Sequence, residues 1–267
     1  MSIEPWIIIS YLVIGIFAGI IGGLLGLGGG IIIVPALYFI YLKQGFPPEI
    51  LMQMAIATSL LTIVLTSVSS TLAHHRRGAV YWHQVTRLTP GIILGGTAGG
   101  TIAHYLHSDT LRILFGLFEL YIACQILFSI KPKAHRRLPN QPGMVLAGMV
   151  IGSLSTILGI GGGTLTVPFL LWCNINIRNA VATSAACGFP IALAGSISMV
   201  ITGWSHPDLP AGSTGYVYWP AAFGIMLMSV STAPLGARIA HAIPVDMLGK
   251  LFAFILVLVG IKILTGY

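Results

Sequence analysis

The feature that most constrains this chain is a succession of long apolar runs that fills nearly its whole length. A helix that crosses the hydrocarbon core of a bilayer needs about 20 apolar residues, with about 17–25 usual. Only 7% of the 267 residues are charged, whereas a soluble domain carries roughly 25%. Because so few charged side chains cannot coat a soluble surface, the sequence predicts an all-α integral membrane protein.

The lengths of the apolar runs predict ten helical segments, and two of these are unusually short. The short ones, 31–42 and 164–174, cannot cross a bilayer alone at about 1.5 Å per residue. Each follows directly after three glycines, which indicates the returning arm of a helical hairpin or broken helix; whether the two are re-entrant or spanning stays open. The predicted segments are 6–26, 31–42, 51–73, 87–106, 111–130, 143–159, 164–174, 180–202, 217–240 and 245–265.

The chain also contains an internal repeat. Residues 15–37 align without gaps on 148–170, at a shift of 133 positions. Further matches follow in the same order, so we expect one membrane domain of two related halves, 1–130 and 142–267, joined by a basic cytoplasmic linker, 131–141. The matched blocks are Gly28-Gly29-Gly30 with Gly161-Gly162-Gly163, Val34-Pro35 with Val167-Pro168, Ala57-Thr58-Ser59 with Ala182-Thr183-Ser184, and Ile102-Ala103-His104 with Ile239-Ala240-His241.

The distribution of basic residues predicts how the halves are oriented. Lys and Arg gather in the loops 74–79 and 131–141, which the positive-inside rule assigns to the cytoplasm. Counting segments from these loops leaves both termini outside and gives each half an odd number of segments. The halves are therefore predicted to be inverted-topology repeats, each a glycine-broken helical hairpin plus three transmembrane helices. Such repeats are typical of secondary transporters, whose substrate lies near the bilayer midplane.

The duplicated glycine breaks are the strongest candidate for a binding site. Irregular backbone at membrane depth is tolerated where it is buried in protein or lines a wet cavity. A short helix that starts after the glycines would direct free N–H groups and the positive end of its dipole into such a cavity, which suits an anion. The alternative is close helix packing through small residues, which we expect of Gly15, Gly19 and Gly23.

Polar side chains near the breaks extend this candidate site. Thr58, Ser59, Thr183 and Ser184 are predicted either to bond carbonyl groups of their own helices or to face the cavity. Gln53 and Arg178 precede them at matching places. Arg178 could bind an oxyanion, or it could be a cytoplasmic-rim arginine.

Other chemistry receives little support from the sequence. His104, His241, Asp109 and Asp246 lie at segment ends, where interfacial capping competes with proton coupling. Glu119 lies in the middle of an apolar helix, where a carboxylate is a functional candidate by default; an interior partner is the alternative. We expect no enzyme, because no nucleotide-binding fingerprint or metal-ligand cluster is present. No cofactor, no metal and no nucleic-acid partner are expected either.

The duplicated G-x-x-G-x-G-G-G-x3-V-P motif, followed by an Ala-Thr-Ser helix, resembles the sulfite exporter TauE/SafE family of bacterial membrane transporters. The resemblance covers essentially the whole chain, although Thr156 stands where the first half has Gly23. It implies a multi-pass permease of the plasma membrane for small anions such as sulfite, sulfoacetate or other organosulfonates. It also implies that the glycine breaks and the following hydroxyls surround the substrate, at Gly28, Gly29, Gly30, Thr58, Ser59, Gly161, Gly162, Gly163, Thr183 and Ser184.

The functional prediction is therefore a secondary transporter that moves a small anion across the bilayer by alternating access. An anion channel, or a permease for another small organic anion, is the alternative, and a non-transporting scaffold is the third reading. The expected partners are the anion and the lipid bilayer. Proton or ion coupling, the direction of transport and the oligomeric state are left open by the sequence.

Overall fold

The computed structural model describes residues 4–26, 28–128, 138–242 and 245–266, and within these ranges the chain is almost entirely helical. Side chains are not described at 25, 240–242 and 245–251. Most of the basic linker, at 131–137, lies outside the described residues, as do residues 129–130 and the side chain of His241. The helices are α1 (Pro5–Leu25), α2 (Gly30–Lys43), α3 (Leu51–His75), α4 (Trp82–Tyr105), α5 (Ser108–Leu127), α6 (Gln141–Ile157), α7 (Gly163–Trp172), α8 (Ile177–Gly203), α9 (Trp219–Ala242) and α10 (Val245–Thr265).

Among the described residues, five stretches are long and apolar enough to cross a membrane: Pro5–Leu24, Pro48–His75, Ser108–Leu127, Ile177–Gly203 and Trp219–Ile239. Large apolar side chains lie exposed along the helices that contain them, for example Phe17 on α1, Leu117 on α5 and Ile201 on α8. Exposed apolar surface of this extent is stable only against lipid. The prediction of an all-α, multi-pass membrane protein is confirmed.

The two short segments form helices close to their predicted bounds. α2 has 14 residues and α7 has 10, which correspond to about 21 Å and about 15 Å, short of the roughly 30 Å hydrocarbon core. Gln44, at the end of α2, donates a hydrogen bond from Nε2 to the Tyr11 hydroxyl at 2.7 Å. Since Tyr11 lies in the first half of α1, α2 runs back alongside α1 as the second arm of a hairpin.

The helices of the two halves are interleaved. α1 packs most extensively against α9, and α6 packs most extensively against α4. α3 pairs with α8, and α5 pairs with α10. Exchanging the equivalent helices of the two halves converts the α1–α9 contact into the α4–α6 contact. The same exchange leaves the α3–α8 and α5–α10 contacts unchanged. Neither half is therefore a separate globular unit in this fold.

Glycines form the seams of the two interleaved pairs. A Cβ atom built on Gly15 would lie 2.6 Å from the Ile225 carbonyl oxygen, and one on Gly19 would lie 2.5 Å from that of Ser229. A Cβ atom on Gly23 would collide with the Ala233 carbonyl oxygen. The predicted packing role of these three glycines is confirmed. Gly91, Gly95 and Gly99 of α4 make the matching seam against the α6 residues Val145, Met149 and Ser153.

α3 and α8 form the centre of the molecule and run antiparallel. A Cβ atom on Gly195, late in α8, would lie 3.0 Å from Leu60 early in α3. One on Gly188 would lie 3.4 Å from Ser67, which is later in α3. Both helices are buried along much of their length.

A short loop structure joins α8 to α9. Strands β1 (Ser213–Thr214) and β2 (Val217–Tyr218) pair antiparallel, with Ser213 opposite Tyr218. The tyrosine between them, Tyr216, is buried, and its hydroxyl lies 2.9 Å from His104 Nδ1 at the end of α4. His104 thus joins the end of α4 to this hairpin.

Candidate functional site

The first glycine break, between α1 and α2, has a backbone that only glycine adopts readily. Gly28 has φ of +69° and Gly29 has φ of +81°, in the left-handed region that disfavours residues with a Cβ atom. A Cβ atom on Gly29 would also lie 2.7 Å from the Ala18 carbonyl oxygen. The first break therefore needs glycine both for its conformation and for close approach of α1.

The second break, between α6 and α7, has a different backbone despite its matching sequence. Gly159 has φ of +67°, but Gly162 has φ of −60°, an ordinary helical value. Gly162 is required by space instead, because a Cβ atom there would lie 2.8 Å from the Ser184 carbonyl oxygen and 3.1 Å from the Gly188 nitrogen. The two halves thus share a motif but not a conformation at this point.

The two breaks meet each other in the interior. A Cβ atom on Gly28 would lie 3.1 Å from Gly161 Cα, and one on Gly30 would lie 2.8 Å from Ile160 Cα. Gly28 and Gly30 also face Ile63, which is the middle residue of α3. α2 and α7 therefore both begin at mid-height of the central helix pair, and the first N–H groups of each have no partner within their own helix.

The serines after the breaks each face the break of the other half. Ser59 Oγ donates to the Gly159 carbonyl oxygen at 2.8 Å, and Ser59 is fully buried. Ser184 Oγ donates a hydrogen bond to the Val181 carbonyl oxygen of its own helix at 2.8 Å. A Cβ atom built on Gly26 would lie 2.7 Å from Ser184 Oγ. Both predicted serines thus lie at the breaks, with one bound across the halves and the other bound within its helix.

The neighbouring threonines hold the starts of two other helices. Thr183 Oγ1 accepts a hydrogen bond from the backbone N–H of Tyr81, the residue before α4, at 3.0 Å. Thr58 Oγ1 accepts from the N–H of Tyr218, the residue before α9, at 3.1 Å. Thr58 accepts a second bond from the Tyr41 hydroxyl at 3.2 Å. Each threonine therefore anchors a helix of the opposite half.

The two remaining predicted residues lie in unlike surroundings. Gln53 is buried at the start of α3, where Nε2 donates to the Leu106 carbonyl oxygen at 2.8 Å and Oε1 has no partner. Arg178 is exposed in the first turn of α8. The structure thus places the glycines and serines together at the centre, with Gln53 and Arg178 towards helix ends.

Four buried hydroxyls beside the second break were not among the predicted site residues. They are Ser155 and Thr156 in the last turn of α6, with Thr164 and Thr166 in the first turn of α7. Each is at most 4% exposed, and none has a hydrogen-bond partner. The internal alignment carries the signal that finds them, because the first half has Gly22, Gly23, Ile31 and Ile33 at these positions.

Glu119 is also buried, at 1% exposed, and neither of its carboxyl oxygens has a hydrogen-bond partner. It lies on α5, which packs against α10 and α3. The interior partner that the sequence left open is not found among the described residues.

Comparison with known proteins agrees with this architecture. Residues 11–263 match the family model described as Sulfite exporter TauE/SafE. A probable membrane transporter protein of Haemophilus influenzae is 37% identical over 256 residues, which cover 96% of this chain and 97% of that protein. The probable membrane transporter protein YunE of Bacillus subtilis is 29% identical, over 94% of this chain and 95% of its own length.

A third relative comes from an archaeon. A probable membrane transporter protein of Methanocaldococcus jannaschii is 28% identical, over 95% of this chain and 94% of its own length. No solved structure matches this chain at a significant level. The similarity thus extends over nearly the whole length of these relatives and concerns one class of protein, the membrane transporters.

Proposed function

This chain belongs to the sulfite exporter TauE/SafE family of membrane transporters, and on that premise we propose that it is a secondary transporter of a small anion. The substrate class is a sulfur oxyanion or organosulfonate, such as sulfite or sulfoacetate. The mechanism is alternating access in the plasma membrane, with both termini outside and no catalytic step.

The observation that carries this proposal is the meeting of the two glycine breaks at the centre. Two helices begin there, so the positive ends of their dipoles and their unpaired N–H groups converge at one depth. Anionic groups bind at helix N-termini for this reason. Broken helices that meet between two repeats are the usual substrate surroundings in secondary transporters.

The helix packing supports alternating access of inverted repeats. The equivalent helices α3 and α8 run antiparallel through the centre, as inverted halves 1–130 and 142–267 require. The interleaved pairs α1 with α9 and α4 with α6 would each move as a unit against the central helices. Thr58 and Thr183 couple each central helix to the start of one such unit.

A carrier fits the centre better than the alternative of an open anion channel. Gly28 approaches Gly161 so closely that a Cβ atom would lie 3.1 Å from the facing backbone. Direct contact between the breaks supports a closed state that must rearrange for the anion to pass, which is carrier behaviour. Currents of single-channel size, without saturation, would favour the channel.

Flux in proteoliposomes tests the proposal. We expect purified protein to mediate saturable movement of radiolabelled sulfite or sulfoacetate, with protein-free liposomes as the control. Acetate and nitrate, which contain no sulfur, complete the panel and separate sulfur oxyanions from small anions in general. Equal indifference to all four anions would contradict the substrate class. Imposing proton or sodium gradients in the same assay measures which ion, if any, drives the flux.

A further inference from the structure

The four unpartnered hydroxyls beside the second break make the centre of the molecule chemically asymmetric. Ser155, Thr156, Thr164 and Thr166 are 0%, 0%, 4% and 0% exposed, respectively. At the equivalent places, the first break has two glycines and two buried isoleucines, Ile31 and Ile33. One break is therefore lined by hydroxyl groups and the other by hydrocarbon.

These four hydroxyls, together with Ser70 and Thr71 of α3, lack the hydrogen bond that other helical hydroxyls of the described residues make. A Ser or Thr within a helix usually bonds a carbonyl of the preceding turn. Thr66, Thr89 and Thr202 do so here, at 2.8–2.9 Å. Buried polar groups are nearly always satisfied, so those that are not need a physical reason. A ligand that supplies acceptor oxygens is such a reason.

The surroundings of the second break indicate which ligand these hydroxyls suit. The hairpin 141–172 contains no Asp, Glu, Lys, Arg or His. Beside the break itself, the side-chain donors of this hairpin are hydroxyl groups, and α7, which has ten residues, begins there with free N–H groups. Neutral donors in a buried place suit a small oxyanion whose several oxygens each accept hydrogen bonds.

Thr156 lies where α6 packs against α4 and α8. Its side chain faces two glycines from neighbouring helices: Cβ atoms built on Gly195 and Gly96 would lie 2.8 Å and 3.5 Å from Thr156 Oγ1. Because residue 195 is glycine, α8 can approach this hydroxyl closely. At the matching place in the first half, Gly23 packs against the Ala233 backbone instead.

We infer that the anion binds off the pseudo-symmetric centre, at the second break, where Ser155, Thr156, Thr164 and Thr166 donate hydrogen bonds to its oxygens. This inference rests on the proposed function and names the side of the centre that holds the substrate. The first break then contributes N–H groups and close packing, and its isoleucines close the site on the opposite side.

Removing single hydroxyls at constant volume tests this assignment. Thr164→Val, Thr166→Val and Ser155→Ala are compared with wild type for transport of sulfite and sulfoacetate and for thermal stabilisation by each anion. We expect KM to rise about 10-fold or more per lost hydrogen bond to the charged ligand. Thr164→Ser and Thr166→Ser keep the hydroxyl and should stay near the wild-type KM.

Two matched controls separate binding from packing. Thr97→Val and Thr202→Val each remove a helical hydroxyl that bonds a carbonyl of its own preceding turn. Both should leave KM within about twofold of wild type. If one valine variant does not fold, the other hydroxyl deletions provide the same comparison.

The outcomes distinguish this inference from the proposed function. A wild-type protein that neither transports nor is stabilised by either anion overturns the proposed function, and this inference with it. A wild-type response that persists unchanged in the hydroxyl deletions overturns this inference alone. A loss of affinity confined to those deletions, with restoration in the serine variants, supports both.

Discussion

Ser59 and Ser184 occupy matching positions but make different hydrogen bonds, and this difference sets what each contributes to stability. Ser59 bonds the Gly159 carbonyl oxygen in the other half, whereas Ser184 bonds its own helix. Ser59→Ala leaves a buried carbonyl without that partner, at a cost of about 1–3 kcal/mol. We expect it to lower the thermal unfolding temperature in detergent more than Ser184→Ala does. Equal melting temperatures would show that the bond across the halves contributes nothing.

Replacing Glu119 is predicted to stabilise the protein, whereas replacing Ser59 is predicted to destabilise it. The Glu119 carboxyl group is buried without a hydrogen-bond partner, which costs about 1–3 kcal/mol for a polar group. The equivalent residue of the second half is Leu256, which is also buried. Glu119→Leu should therefore raise the free energy of unfolding, measured by thermal or denaturant unfolding in detergent. Leu256→Glu is the matched reverse variant, and we expect it to destabilise the protein.

If Glu119→Leu is stabilised, the same variant also shows whether the carboxyl group serves transport rather than stability. If it folds well yet no longer responds to an imposed proton gradient in the flux assay, the carboxyl group is retained for transport rather than for stability. A destabilised variant would mean instead that the carboxyl group has an interaction that the described residues do not include.

At the scale of helices, the glycine seams determine how closely α1 and α9 approach. Gly19→Val would force side-chain atoms into the Ser229 backbone of α9, and overpacking of this kind costs about 1–3 kcal/mol or more. We expect a lower melting temperature and a loss of the monodisperse peak in size-exclusion chromatography. Gly95→Val should act in the same way on the seam between α4 and α6.

A glycine outside the seams provides the control for this prediction. Gly45 has nothing within 4 Å of a built Cβ atom, although its φ is +72°. Asn tolerates left-handed backbone better than other residues, so Gly45→Asn should fold and behave like wild type. If Gly45→Asn and Gly19→Val lose the same stability, seam packing is not the cause.

Much of the helical layout could be predicted from sequence, because the length of each apolar run determines where the chain crosses the lipid bilayer. The short arms 31–42 and 164–174 correspond to α2 and α7 within two residues at each end. The glycine seam on α1 was predictable because spacing by four residues places small side chains on one face of a helix.

The chemistry of the site was less predictable, because it depends on contacts between distant residues. Thr58 and Thr183 resemble substrate ligands in sequence, yet each accepts the N–H of a residue more than 100 positions away. The hydroxyls of Thr164 and Thr166 became candidates only once burial and the lack of a partner were known. The sequence indicated asymmetry between the breaks through one difference, Thr156 in place of Gly23. The full extent of the asymmetry could be seen only from the packing of the helices.

At the scale of the whole molecule, the proposed inverted topology makes a prediction about sidedness. After Cys124, Cys173 and Cys187 are replaced by Ala, single cysteines are introduced by Arg76→Cys and Asp208→Cys. We expect a membrane-impermeant thiol reagent to label the second variant in intact cells and the first only after permeabilisation. Labelling of both from outside would contradict the orientation assigned from the positive-inside rule.

The interleaving of the halves also affects how the protein is made. α1 leaves the ribosome first, but the helix that covers its glycine face, α9, begins more than 190 residues later, at Trp219. Nascent α1 must therefore remain in the bilayer, its packing face open to lipid or to an insertion factor, until α9 has been synthesised. A chain truncated before α9 would leave the glycine face of α1 uncovered. Membrane quality control could therefore recognise an unfinished transporter by this exposed face.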